Sequence, residues 1–213
     1  MTGQEELDRI AGEVAHCTKC ALHQSRKKGV PGEGPPSAEI MFIGEGPGFH
    51  ENEQGRPFVG AAGQLLDQLL QNAGLRRSDV WITNVVKCRP PGNRDPLPEE
   101  IDTCTGTYLD AQIRVINPPI IVTLGRISMG RYMPGAKIGE VHGRMRRVGD
   151  RHVIAMYHPA AALRQPSIKP LLEEDFARLP QLLKQARLAA AQSVPLPKDA
   201  PPTEDDPRQL SLF

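Results

Sequence analysis

Four cysteines occur in 213 residues: the pair Cys17-x2-Cys20, then Cys88 and Cys104. Four thiolates can close a tetrahedral site around zinc or hold an iron–sulfur cluster, and spacing alone does not choose between them. A redox pair with two buried core thiols is the other reading. A second group of candidates stands where apolar runs give way to polar residues. AEIMFI runs into GEGPGFHENEQGRPFVG at 44–60, which opens on Glu45 and Gly46 and carries Phe58 near its end. VWITNVV contains Asn84, and HVIAMYHP reaches His158. An acid, a carboxamide and an imidazole brought to one crevice make a candidate active site. Taken singly each has a plain role, as a solvated loop acid, a strand-end cap and a core histidine before a proline.

A sheet must bring them together. Four apolar runs have strand character, AEIMFIG (38–44), VWITNVV (80–86), PPIIVTLG (118–125) and HVIAMYH (152–158). Between the first three, LLDQLLQNAG and PEEIDTCTGTYLDAQIRVI place leucine and isoleucine at mostly helical spacing. The alternation predicts an α/β fold in three layers, a central four-stranded parallel sheet flanked by crossover helices. Strands that are apolar almost throughout fit a sheet covered on both faces. One further helix is expected over 170–192, kinked at Pro180. The carboxyl ends of parallel strands share one edge, where open α/β folds bind ligands, so Glu45, Asn84 and His158 can converge there. A dinucleotide fingerprint would need a helix to begin inside the glycine run, whereas FHENEQGRPF has no apolar period and the helical pattern starts only near Ala61. The glycines could also simply make a tight turn.

A hydrophobic content of 39% is ordinary for a soluble domain, and the length allows one substantial core with appendages. The start, MTGQEELDRIAGEVAHC, has no apolar stretch of signal-peptide length, and nowhere do 18 apolar residues run together. A chain neither secreted nor membrane-spanning is expected, and in the cytosol disulfides are the poorer explanation of the cysteines. The net charge of +1 conceals an acidic tail on a mildly basic body. SRKKG (25–29) and GRMRRVGDR (143–151) could meet phosphates or be solvated faces. From Ser193 the chain becomes SVPLPKDAPPTEDDPR, a disordered linker by composition over 193–208. It ends in QLSLF, whose Leu210, Leu212 and Phe213 have no core to join across such a linker.

The chain resembles the family 4 uracil-DNA glycosylases. GEGPGFHENEQGRPFVGAAGQLL, ITNVVKCRPPGNRDPLPEE, HPAAALRQP and the four cysteines in their order and approximate spacing carry the resemblance, which covers about residues 7–190. It implies that Cys17, Cys20, Cys88 and Cys104 hold a [4Fe-4S] cluster. It also implies that a uracil flipped out of DNA enters the crevice, where its glycosidic bond breaks. Phe58 would stack under the ring, Asn84 would read its edge, and the N–H groups near Gly46 would approach it. His158 would donate toward O2, and Glu45 would hold the attacking water, with Glu51 and Glu53 as reserve acids. In HPAAALRQP, Leu163 or Arg164 would fill the gap left by the flipped nucleotide. A related branch that captures DNA covalently has an Arg- and His-rich loop, where this chain has VKCRPPGNRDPLPEE without histidine, so hydrolytic turnover is expected.

QLSLF resembles the short peptide by which bacterial repair and replication proteins bind the sliding clamp. Gln209 would supply an orienting hydrogen bond, and Leu210, Leu212 and Phe213 would be buried on the partner. A monomer working in the bacterial cytoplasm, at the nucleoid during repair, is implied. Two other readings keep parts of the pattern: a non-catalytic iron–sulfur DNA-binding module associated with a polymerase, and a zinc-stabilised phosphohydrolase using GEGPG as an anion cradle.

Overall fold

The structure, a computed structural model, describes residues 1–192. The linker expected at 193–208 and the terminal QLSLF lie outside the described residues. Five strands run β1 (Ile40–Gly44), β2 (Trp81–Asn84), β3 (Ile120–Leu124), β4 (Met145–Val148) and β5 (Arg151–Met156). They form one sheet in the order β2-β1-β3-β5-β4. The first three and β5 are parallel neighbours, in register from Gly44 opposite Asn84 to Leu124 opposite Met156. The expected α/β class and four parallel strands stand; the addition is β4, an antiparallel edge strand on β5. It takes up MRRV from the basic run, with Arg146 and Arg147 exposed.

Side-chain alternation divides the core in two. Ile40 and Phe42 of β1, Ile120, Val122 and Leu124 of β3, and Ile154 and Met156 of β5 face one layer, while Met41, Ile43, Ile121, Val153 and Ala155 face the other. Both faces are dry, hence strands without a polar side. Ten helices are described: α1 (Gly3–His16), α2 (Phe49–Gln54), α3 (Ala61–Asn72), α4 (Pro98–Cys104), α5 (Asp110–Ile116), α6 (Arg126–Gly130), α7 (Ile138–Val141), α8 (Pro159–Arg164), α9 (Ile168–Ala177) and α10 (Leu179–Gln192). The layer of α3, α9 and α10 buries Leu66, Leu69, Leu70, Leu172 and Phe176, the last stacked on Phe42 at 5.7 Å between ring centroids. The layer of α1 and α5 buries Leu7, Ile10, Val14 and Ile113.

Two helical expectations differ. The stretch after Gly48 does form a helix, α2, inside the glycine-rich segment; it is six residues long and has no apolar period to read. The helix expected over 170–192 is two helices that meet at Arg178. Pro180 is the second residue of α10, where its missing N–H costs no intrahelical bond, so it begins a helix and does not kink one.

Candidate active site

Strand β1 ends at Gly44, and its neighbour across the ladder is Asn84, the last residue of β2. A side chain at Gly44 would put its Cβ 2.4 Å from Asn84 Oδ1 and 2.7 Å from Phe58 Cζ, so only glycine lets these two groups meet over the strand end. Gly46 likewise packs on Val86, where a Cβ would come within 2.8 Å of Cγ2. The cleft above has a volume of about 390 Å³. Glu45, Gly46, Phe58, Asn84, His158 and Arg164 all line it, as do Glu51 and Asp95. Leu163 lies on α8 beside it and is 52% exposed.

Phe58 is buried and has φ 50, a left-handed backbone that a bulky residue adopts only when its surroundings impose it. Two clamps impose it. Arg77 donates to the carbonyls of Pro57 (2.6 Å) and Phe58 (3.2 Å) while paired with Glu33 and Asp67. Glu51 accepts from the N–H groups of Gly48 (3.1 Å), Val59 (2.8 Å) and Gly60 (3.0 Å). The ring so held stacks on His158, 5.5 Å between centroids and 25° from parallel.

The three loop acids therefore differ. Glu51 is committed to backbone amides, and Glu53 is paired with Lys27. Glu45 is raised above its ordinary pKa, first by burial and then by the negative charge of Asp95, against the pull of Arg126. His158 caps α8 and accepts the Ala160 N–H on Nδ1 at 3.1 Å. Burial, with the positive charge of Arg164, holds its pKa down at about 4. The imidazole is thus neutral at pH 7, and with Nδ1 accepting, its proton is on Nε2. Asn84 is 2% exposed, yet its Oδ1 accepts no hydrogen bond among the described residues.

Beneath Asn84 lies Lys87, a fully buried lysine that sequence reasoning passed over. Its Nζ donates to Thr83 Oγ1 (2.6 Å), the Asn84 carbonyl (2.8 Å) and Gln112 Oε1 (2.8 Å), and burial lowers its pKa to about 8. Its backbone N–H donates to Cys104 Sγ at 3.3 Å, so one residue touches both the strand carrying Asn84 and the cysteines. Cys17, Cys20, Cys88 and Cys104 line one small cavity with Val14, Lys19, Thr103 and Tyr108. Arg26 donates to Cys88 Sγ at 3.1 Å. Burial pushes the thiols of Cys20 and Cys88 up, and that of Cys104 to about 11, so without a cation these sites favour the neutral thiol. Among the described residues no three His, Cys, Asp or Glu side chains are arranged for a single metal ion. Cys104 ends α4, and the π-helical stretch Thr105–Leu109 follows it directly.

Of these positioning residues, Arg77 acts through partners ten or more residues away, and Glu51 and Lys87 through contacts that no apolar period announces. Gly44 was legible in principle, as a glycine closing an apolar strand. The profile of the Uracil DNA glycosylase superfamily matches residues 31–183, a span that holds the entire cleft. A type-4 uracil-DNA glycosylase of Sulfurisphaera tokodaii is 50% identical over 190 residues, 84% of this chain and 85% of that protein. That of Archaeoglobus fulgidus is 46% identical over 187 residues, 84% and 94% of the two chains. That of Thermotoga maritima is 44% identical over 191 residues, 87% and 99%. Likeness of this degree over nearly the full length of each relative, with the cleft inside the matched span, makes the chain a member of the uracil DNA glycosylase superfamily, in its type-4 branch.

Proposed function

We propose that the chain hydrolyses the N-glycosidic bond of deoxyuridine flipped out of DNA, releasing uracil and leaving an abasic site for base excision repair. The Asn84 carboxamide carries this reading. A buried acceptor without a partner costs about 1–3 kcal/mol, and Oδ1, packed beside Gly44, is such an atom among the described residues. Uracil offers the complement: N3–H donates to Oδ1 while O4 accepts from Nδ2. Cytosine presents an acceptor at N3 and a donor at C4, the reverse of both.

The remaining groups follow from where charge moves. As the bond from N1 to C1′ breaks, its electron pair leaves with the base and positive charge builds on the sugar. The neutral His158 donates from Nε2 to O2, where the negative charge collects. Glu45, as its carboxylate, accepts a hydrogen bond from the water that adds to C1′ and stabilises the cationic sugar. Phe58 supports the ring, and the backbone N–H groups beside Gly46 approach its polar edge. Leu163 and Arg164, beside the cleft on α8, fill the space the nucleotide vacates.

Cys17, Cys20, Cys88 and Cys104 suit a cluster: they share one cavity, and Cys104 and Cys88 receive an N–H and a guanidinium hydrogen bond. A [4Fe-4S] cluster held there would supply iron–thiolate bonds that cross-link the N-terminal arm to the segment from Cys88 to Cys104, a structural role. The C-terminal QLSLF would dock on a sliding clamp through Gln209, Leu210, Leu212 and Phe213, tethering the enzyme near DNA. Titrating clamp with the intact chain and with one ending at Pro207 tests this, and equal binding by both refutes it.

The glycosylase reading is tested by incubating the protein with an oligonucleotide carrying one uracil and treating with hot alkali. Strand breakage at the uracil alone is expected. A strand left whole would overturn the proposal.

A further inference from the structure

The flipped uracil is one link of a strand, and the nucleotides on either side of it must cross the rim of the cleft. On one part of that rim stands Phe49. It follows the cleft-lining Gly48 as the first residue of α2, and it is 54% exposed, the one aromatic among the exposed large apolar side chains described. A single exposed apolar side chain is ordinary; what marks Phe49 is its place beside the cleft and the groups set against it.

Its setting indicates what could stack on it. The Arg89 guanidinium lies over the Phe49 ring, 5.4 Å from the centroid. Arg89 precedes the cleft-lining Pro90, and its Nε donates to Asn93 Oδ1 at 2.8 Å, so the cation is fixed in place and not free to sweep the surface. The His50 and Phe49 rings stand nearly perpendicular, 85° apart with centroids 5.4 Å from each other. Phe49 is thus braced by a guanidinium and an imidazole, with over half its surface open to solvent. Together these make a stacking surface beside a fixed positive charge, the combination that holds an unpaired base and its phosphate. Leu163, 52% exposed on α8, is another large apolar side chain next to cleft-lining residues.

We propose that Phe49, backed by Arg89, is a second base-binding subsite, on which a base adjacent to the uracil in the same strand stacks. It rests on the glycosylase reading of the cleft but not on any of the catalytic roles within it. A base already paired and stacked in a duplex gains less from such a platform than a free one, so the contribution is larger on single strands.

The test uses single-stranded oligonucleotides with a central 2′-fluorodeoxyuridine, which resists cleavage, and compares flanking nucleotides that keep their bases with abasic spacers. Phe49→Ala should weaken binding of the base-bearing strand on the order of 10-fold and leave the spacer-flanked strand unaffected. Phe49→Trp should bind the base-bearing strand at least as tightly as the parent. Phe49→Ala should also lose less on a duplex with the same central residue. No loss with Phe49→Ala, or the same loss on both single strands, would overturn the subsite. Cleavage of an ordinary uracil strand by the parent is measured alongside. If it fails, the glycosylase reading falls; if it succeeds while binding ignores the flanks, only the subsite does.

Discussion

Replacing Glu51 by alanine removes at one stroke the acceptor of three backbone N–H groups, those of Gly48, Val59 and Gly60. A hydrogen bond to a charged group is worth about 1.5–3 kcal/mol, and a neutral one about 1. This loop is part-buried, so water replaces some of the lost acceptor, and about 1 kcal/mol per bond, or about 3 kcal/mol in total, is the expected loss of stability. For a chain of this size that lowers Tm by about 6–12 °C. Glu51→Gln keeps an oxygen for Val59 and Gly60 but turns an NH2 toward Gly48, and should fall between the two. The released segment carries Phe58 in its left-handed conformation, so kcat/KM for uracil strands should drop with the stability. Scanning thermal denaturation of parent and variants, with iron content checked, reads the first quantity and single-turnover cleavage the second. If Glu51→Ala melts with the parent while cleavage is lost, the carboxylate serves the reaction directly and its work as a clamp is refuted.

Glu45→Ala and His158→Ala should each lower the single-turnover rate by on the order of 10², with Tm little changed for Glu45→Ala; parent-like rates in both would move the chemistry elsewhere. In a pH–rate profile the acid limb should belong to Glu45, whose pKa lies above its ordinary 4.5, because His158 stays neutral down to about 4; a limb unchanged in the residual activity of Glu45→Gln would contradict this. For stability, a depressed His158 contributes fully above its ordinary 6.5, and the contribution is lost as pH falls toward about 4, where the unfolded chain takes up a proton and the folded one does not; the part of the pH–stability curve that His158→Gln removes should lie in that window. Asn84→Asp puts an ionised acceptor against uracil O4 and should weaken binding of uncleavable uracil DNA by about 10²-fold, measured by titration. Anaerobically purified protein should hold about four irons per chain, and Cys88→Ser should lose both iron and thermal stability; one zinc and no iron would refute the cluster.

The parallel strands were legible because burial on both faces leaves them apolar at nearly every position, as in IMFI, IIVTL and VIAM. β4 was not. An edge strand exposes its outer positions, and in MRRV these are arginines, so it reads as a basic cluster. α2 escaped for a different reason: it is held by an end cap from Glu51 to Gly48 and not by an apolar face, and periodicity detects only faces. Glu45, Asn84 and His158 could be picked out because each follows or ends a strand, a position visible in one dimension. Arg77 and Lys87 could not, since a guanidinium holding two carbonyls nineteen and twenty residues away, or an ammonium bonded under a strand end, is a fact of tertiary structure.

The strand order β2-β1-β3-β5-β4 has a consequence for how the chain is made. Its first strand is interior, with β2 and β3 on either side. A chain emerging from the ribosome therefore lays down an inner strand, adds a neighbour on one flank, then one on the other, and afterwards extends only that second flank. No strand has to be inserted between two already paired. Two elements wait for partners: β4, made before β5, its one neighbour in the sheet, and α1, which packs against α5 and so waits until just over half of the chain has been translated. Cys17 and Cys20 wait with α1, so the two cysteine pairs come together only after β1 and β2, the first strands of the cleft, have been made.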